Sequence, residues 1–195
     1  PAPLRGLSEL PALPTAAVKA RRKPRVSAAA KEHYFAEPPL MVRGWRSHLI
    51  DATGRAHLDM VNNVSSIGHA HPRLTAAVAT QLATLNTNSR FLYPQIAQLS
   101  ERLLATVPAG RFDTVLLVNS GTEAVDLALR LATIATARRH VVALREGYHG
   151  WSYAADAVST SAFDNPHALD SRPDWVHIAD APNPYRGVHR GEGSA

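Results

Sequence analysis

The chain has 195 residues, of which 45% are hydrophobic and 19% are charged, the balance of a soluble globular protein. It has no cysteine, which excludes disulfides and thiolate metal sites, and no apolar run approaches the length of a membrane span. The formal net charge of +5 does not indicate a nucleic-acid partner, because five basic residues cluster between positions 19 and 25 and the others lie among acidic neighbours.

Residues 1–30 combine proline, alanine and basic side chains, which predicts a linker or extension with room for one short helix. The basic cluster is then a solvated part of this linker; an arm for acidic partners is the alternative interpretation. A targeting peptide is a third, since Glu9 is the single acidic residue of the stretch. Because the sequence starts at Pro1 without a methionine, we expect a piece of a longer protein.

Three short strands are expected next, at residues 40–42, 48–50 and 56–60, with a tight turn at 51–55. They predict a small antiparallel unit within residues 31–70.

Helices and strands then alternate. Proline is favoured at the first position of a helix, so Pro72 predicts a helix from 72 to about 85, and Pro94 predicts one from 94 to about 105. Further elements are expected in chain order as a strand at 114–118, a helix at 122–136 and strands at 140–144 and 175–178. This alternation predicts an α/β fold with a largely parallel sheet, which we assign to residues 71–195.

Residues 116–124 read Leu-Leu-Val-Asn-Ser-Gly-Thr-Glu-Ala, so that small polar residues directly follow a short apolar run. Ser120, Gly121 and Thr122 would let a phosphate approach the main chain, and the helix that follows offers the positive end of its dipole. The pattern predicts an anion pocket for a phosphorylated ligand. In the alternative interpretation, Ser120 or Thr122 does no more than cap an ordinary helix.

Five segments of the sequence, in this order, resemble the class III aminotransferases, which are fold type I pyridoxal-phosphate (PLP) enzymes. The segments are 49–54, 62–72, 85–92, 116–124 and 147–150. The string at 85–92 and Pro-Tyr-Arg-Gly at 184–187 are most similar to the branch of amino-alcohol phosphate phospholyases and alanine:glyoxylate-type aminotransferases. The resemblance implies the N-terminal part of an aspartate aminotransferase-like large domain, preceded by the small antiparallel unit.

The resemblance also implies which residues bind the cofactor, and these are Ser120, Gly121, Thr122, Tyr148 and His149. Backbone amides and hydroxyls of the turn at 120–122 would hold the phosphate of PLP. Tyr148 would lie flat on the pyridine ring with His149 close by, while flanking glycines let the backbone bend sharply. A half-buried core aromatic is the alternative interpretation of Tyr148.

Three more polar residues are candidates for substrate contact. The resemblance places Asn63 and Ser65 near the substrate side of the cofactor, and the guanidinium of Arg90 suits a planar anion. A structural ion pair explains Arg90 equally well. His69 and His71 have the spacing of a metal pair, but no third ligand stands at a suitable position, so we expect a structural loop and no metal there.

Catalysis by a PLP enzyme of this type needs a lysine that holds the cofactor as a Schiff base. The chain has lysine only at positions 19, 23 and 31, and the family's lysine comes after the point where this sequence stops. We therefore expect no catalytic residue in this chain and no turnover by it alone.

The full-length protein is expected to be a cytoplasmic homodimeric aminotransferase that acts on an amino compound and a keto acid or aldehyde, without a nucleic-acid or membrane partner. A PLP-dependent phospholyase and a non-catalytic interaction module of the same fold are the alternatives. A nucleotide-binding domain ranks below them, because Gly-x-Gly-x-x-Gly and Gly-Lys-Ser/Thr are missing from the sequence. A serine hydrolase built on Ser120 and His149 lacks the Gly-x-Ser-x-Gly elbow.

Overall fold

The computed structural model describes residues 13–22, 37–61 and 65–188. The chain forms two compact units, residues 1–92 and 93–195. Helix α1 (Thr15–Arg22) confirms the short helix expected in the N-terminal extension. The Lys19 ammonium pairs with the Glu37 carboxylate and lowers the pKa of that carboxyl.

The first unit contains the predicted antiparallel sheet. Strands β1 (Met41–Trp45), β2 (His48–Asp51) and β3 (Ala56–Leu58) pair in the order β1-β2-β3. The third strand ends two residues before the predicted position 60. The unit therefore forms as the turn signal at 51–55 predicted, with slightly different strand ends.

Asp51 organises the tight turn between β2 and β3. Its Oδ1 accepts hydrogen bonds from the Thr53 amide at 2.8 Å, the Thr53 hydroxyl at 2.6 Å and the Arg55 amide at 3.1 Å. Its Oδ2 lies 2.8 Å from Nε2 of His57. The hydrogen bond with His57, followed by that with Thr53, lowers the pKa of the Asp51 carboxyl far below its ordinary value.

The segment with the two histidines is tied to the first unit's sheet. His69 exchanges backbone hydrogen bonds with Arg46, at 3.0 and 2.7 Å, and its Nε2 lies 2.6 Å from Oδ2 of Asp59. Helix α2 (Pro72–Thr84) follows with Pro72 in its first turn, as predicted.

The second unit has the α/β character that the sequence predicted. Helix α3 (Pro94–Leu104) is followed by helix α4 (Gly121–Thr136), strand β4 (Val141–Leu144), helix α5 (Tyr153–Val158) and strand β5 (Val176–Ala179). The two strands run parallel, with Val141 opposite Val176 and Leu144 opposite Ala179. A parallel pair needs a crossover, which the segment containing α5 provides.

Small apolar side chains form the core of this unit. Ala143 of β4, Val176 of β5 and Ala157 and Val158 of α5 are buried. Partly buried residues of α4 and the strand starts pack against them, namely Val125, Leu129, Val141 and Trp175. Helix α5 packs against both α4 and β4, and the loop with Tyr148 and His149 follows the carboxyl end of β4.

One strand prediction for this unit was wrong. Residues 114–118 are not a strand, because no segment of the described chain supplies the ladder hydrogen bonds that a strand requires. Helix α5, which lies between Tyr148 and β5, was not predicted. No helix within the described ranges is long and apolar enough to span a membrane.

Candidate functional site

The loop that leaves the carboxyl end of β4 carries Tyr148 and His149. Gly147 and Gly150 flank the pair, and only Gly150 has a positive φ, of +131°. Tyr148 is 55% exposed, and it is not among the residues that form the core of this unit. His149 is half-buried, and its Nε2 would lie 2.9 Å from a Cβ placed on Gly147. The imidazole therefore folds back over Gly147, where no larger residue fits without displacing it.

Gly150 brings this loop against the start of helix α4. A Cβ on Gly150 would lie 2.5 Å from Oγ1 of Thr122 and 2.9 Å from its Cα. A Cβ atom does not approach a non-bonded atom that closely, so the contact requires glycine. The structure thus places the Tyr148–His149 loop beside the Ser-Gly-Thr turn, although 25 residues and a helix separate them in the sequence.

Ser120 caps helix α4. Its backbone is extended, with φ −153° and ψ 161°, and its Oγ accepts a hydrogen bond from the Glu123 amide at 3.1 Å. The Glu123 carboxylate reaches back to the Asn119 amide at 2.6 Å. Ser120 therefore caps the helix, and this bond leaves the hydroxyl proton available for a further acceptor.

The next two amides of this helix are available to a ligand. The first amides of a helix have no partner within the helix itself. In the described part of the chain, no acceptor is in place for the amides of Gly121 and Thr122, and a Cβ on Gly121 would meet no atom within 4 Å. An open approach to unpaired amides at a positive dipole end is the chemistry that a phosphate group requires.

Two buried hydroxyl groups bind the backbone of the loop that carries Tyr148 and His149. Thr160 and Ser159, just after α5, are 1% and 4% exposed, and both bond to the main chain of residues 144–150. Asp126 of α4 accepts a hydrogen bond from the Ala155 amide at 2.9 Å and so joins α4 to α5. Sequence reasoning missed all three residues. The one available signal was the run of hydroxyl residues at 159–161, directly after an alanine-rich stretch.

The three predicted substrate residues, Asn63, Ser65 and Arg90, stay predictions. Asn63 lies outside the described residues. Ser65 and Arg90 belong to the first unit, where the Ser65 carbonyl accepts from the Gly68 amide at 2.7 Å and the Arg90 amide donates to Oδ1 of Asn88 at 3.0 Å. These are local turn contacts, so a substrate role for these residues stays a prediction.

A family model and several relatives match most of the chain. The family model for Aminotransferase class-III matches residues 29–194. The chain is 38% identical, over 170 residues, to the ethanolamine-phosphate phospho-lyase homolog 1 of Caenorhabditis elegans, covering 87% of this chain and 36% of that protein. It is also 38% identical, over 166 residues, to the alanine–glyoxylate aminotransferase 2-like protein of Drosophila melanogaster, covering 85% of this chain and 33% of that protein.

A solved structure shows the same fold. The phospholyase from Arthrobacter in complex with phosphoethanolamine matches with a TM-score of 0.75 and 30% identity, covering 85% of this chain and 38% of that chain. The chain thus spans little more than a third of the length of the proteins it matches.

Proposed function

The chain belongs to the class III aminotransferase family, and on that premise we propose that it forms the part of a PLP enzyme that binds the cofactor phosphate and one face of its ring. The contact between Gly150 and Thr122 is the observation that carries the proposal. It joins an anion-binding turn to an exposed aromatic side chain, and PLP presents an anion and an aromatic ring.

The phosphate would bind at the start of α4. The amides of Gly121 and Thr122 donate to its oxygens, and the hydroxyls of Ser120 and Thr122 add two further donors. The open space over Gly121 fits this group, because any side chain there would occupy the path of the phosphate. The capping bond of Ser120 is compatible with this role, since one hydroxyl can accept from Glu123 and donate to a ligand.

The ring would lie against Tyr148. A phenol stacked on the pyridine ring excludes water from one face and fixes the tilt of the ring. His149 would stand beside it, held over Gly147. Bound PLP supplies an electron sink for the carbon that loses a proton, and the residues of this chain orient that sink and shield it from water.

Turnover is proposed for the full-length protein only. The lysines at 19, 23 and 31 precede both the turn and the aromatic loop, and none belongs to the second unit. The lysine that moves the proton is therefore expected elsewhere in the full-length protein. A homodimer, a cytoplasmic location and domain boundaries near residues 30 and 70 remain predictions of the same proposal, as does substrate contact by Asn63, Ser65 and Arg90.

Amino transfer to a keto acid or aldehyde is the first candidate reaction. Phosphate elimination is the second, and the identities to a protein named as a phospho-lyase homolog and to a phospholyase bound to phosphoethanolamine favour it. In elimination, the C–O bond to the phosphate breaks after proton loss from the neighbouring carbon, and water converts the resulting enamine to an aldehyde and ammonia. The fold serves both reactions.

Experiments on the full-length protein test both the proposed binding of PLP and the proposed reaction. It should bind PLP and show the absorbance of the bound cofactor; a protein that leaves PLP free in solution would contradict the proposal and favour the non-catalytic module. With PLP bound, phosphate and ammonia released from phosphoethanolamine would identify a phospholyase. Pyruvate formed from alanine and glyoxylate would identify an aminotransferase.

A further inference from the structure

Two adjacent hydroxyls lie under the loop that carries Tyr148 and His149. Ser159 and Thr160 follow helix α5, and both side chains turn back toward the loop that precedes that helix. Their burial means that water cannot replace them as hydrogen-bond partners.

Thr160 fixes the first half of the loop. Its Oγ1 accepts from the Gly147 amide at 3.0 Å and donates to the Leu144 carbonyl at 2.6 Å. Its own amide donates to the Gly147 carbonyl at 2.7 Å. Both peptide groups of Gly147 are therefore held, along with the last residue of β4.

Ser159 fixes the second half. Its Oγ accepts from the His149 amide at 2.9 Å and lies within donor distance of two carbonyls, that of Gly150 at 3.1 Å and that of Ala155 at 2.8 Å. A hydroxyl has one proton, so these two carbonyls share it. Because Gly150 contacts Thr122, Ser159 also fixes the distance between the aromatic loop and the turn of α4.

We propose that Ser159 and Thr160 are positioning residues that hold the backbone of residues 147–150 in the conformation that binds PLP. The inference rests on the proposed function. Two glycines give this loop many alternative conformations, and loss of either hydroxyl reduces the populated fraction of the binding conformation. The apparent dissociation constant for PLP rises in proportion to that reduction.

The test compares Ser159→Ala and Thr160→Val with the wild type in the full-length protein. Each variant removes the hydroxyl acceptor of a partly buried loop amide, so we expect PLP to bind about tenfold more weakly. The Gly147 amide keeps a longer hydrogen bond to the Leu144 carbonyl, at 3.2 Å. The induced circular dichroism of bound PLP should also weaken, because the ring loses its fixed orientation. Thr160→Ser keeps the hydroxyl and should restore both signals.

Ser161→Ala is the matched control. Ser161 is also buried, at 9% exposure, but its hydroxyl bonds to Asp164 at 2.6 Å and not to the loop. We expect it to lower thermal stability without changing the dissociation constant for PLP. If Ser159→Ala and Thr160→Val bind PLP with wild-type affinity and dichroism, or if Ser161→Ala impairs binding as much, the positioning role is wrong. A wild-type protein that binds no PLP would instead overturn the proposed function.

Discussion

At the scale of single residues, Gly150 allows the loop with Tyr148 and His149 to contact the Ser-Gly-Thr turn of α4. An alanine there would place a methyl group 2.5 Å from Oγ1 of Thr122, at a φ of +131° that L-residues rarely adopt. Gly150→Ala should therefore weaken PLP binding by the full-length protein at least tenfold, by an order-of-magnitude estimate from about 1.4 kcal/mol of displaced contact. Equilibrium titration with PLP measures this.

Gly110→Ala provides the control for backbone strain. Gly110 also has a positive φ, of +77°, but a Cβ there meets no atom of the described chain within 4 Å. Its substitution should lower the melting temperature and leave PLP affinity unchanged. Equal losses of affinity in the two variants would mean that strain, and not the contact with Thr122, explains the effect.

The lowered pKa of Asp51 makes the stability of the first unit depend on pH. The bonds from His57 and Thr53 favour its carboxylate form and lower its pKa, so this group stabilises the fold fully above the ordinary Asp range. That contribution is lost as the pH falls from the ordinary range toward the lowered pKa. Asp51→Asn should remove this part of the pH dependence of the free energy of unfolding, measured by urea denaturation. The exposed Asp174→Asn should keep it.

Single residues also show what sequence alone can reveal. The glycines at 147 and 150 were predicted to permit a sharp turn, and at Gly150 the structure adds a reason in the contact with Thr122. Ser159, Thr160 and Asp126 could not be predicted, because each acts on a loop or helix 10 to 29 residues away through the main chain. Such bonds depend on tertiary packing and leave no local spacing signal.

At the scale of elements, the start of helix α4 combines a cap and a proposed anion site. Ser120→Ala removes the bond to the Glu123 amide and should cost about 1 kcal/mol of unfolding free energy. Ser120→Asp restores a cap and suits the helix dipole, so stability should recover. The added carboxylate would repel the phosphate, and PLP affinity should fall below that of Ser120→Ala. Wild-type affinity in Ser120→Asp would show that Ser120 only caps the helix.

Elements with strong local signals formed as predicted. Prolines at 72 and 94 mark the first residues of α2 and α3, and the turn at 51–55 separates β2 from β3. Residues 114–118 carry an apolar strand pattern but need a hydrogen-bonded neighbour that the described chain does not provide. Helix α5 has six residues, too few for a helical period to stand out, and Asp126 of α4 supports its first turn.

At the scale of the whole molecule, family membership and activity rest on different observations. The family is shown by a match over residues 29–194, and the order of five short segments was sufficient to predict it from the sequence. The chain spans about a third of the length of the relatives it matches, so activity stays a proposal for the full-length protein. The choice between amino transfer and phosphate elimination therefore belongs to the full-length protein, since the shared fold does not determine it.

Binding of PLP and of pyridoxal, which lacks the phosphate, to the full-length protein tests the central claim most directly. If the amides of Gly121 and Thr122 bind the phosphate, PLP should bind at least a hundredfold more tightly than pyridoxal, by an order-of-magnitude estimate from about 3 kcal/mol for charge-assisted hydrogen bonds. Inorganic phosphate should compete with PLP at this turn. Equal affinities for the two compounds, with no competition by phosphate, would contradict the account.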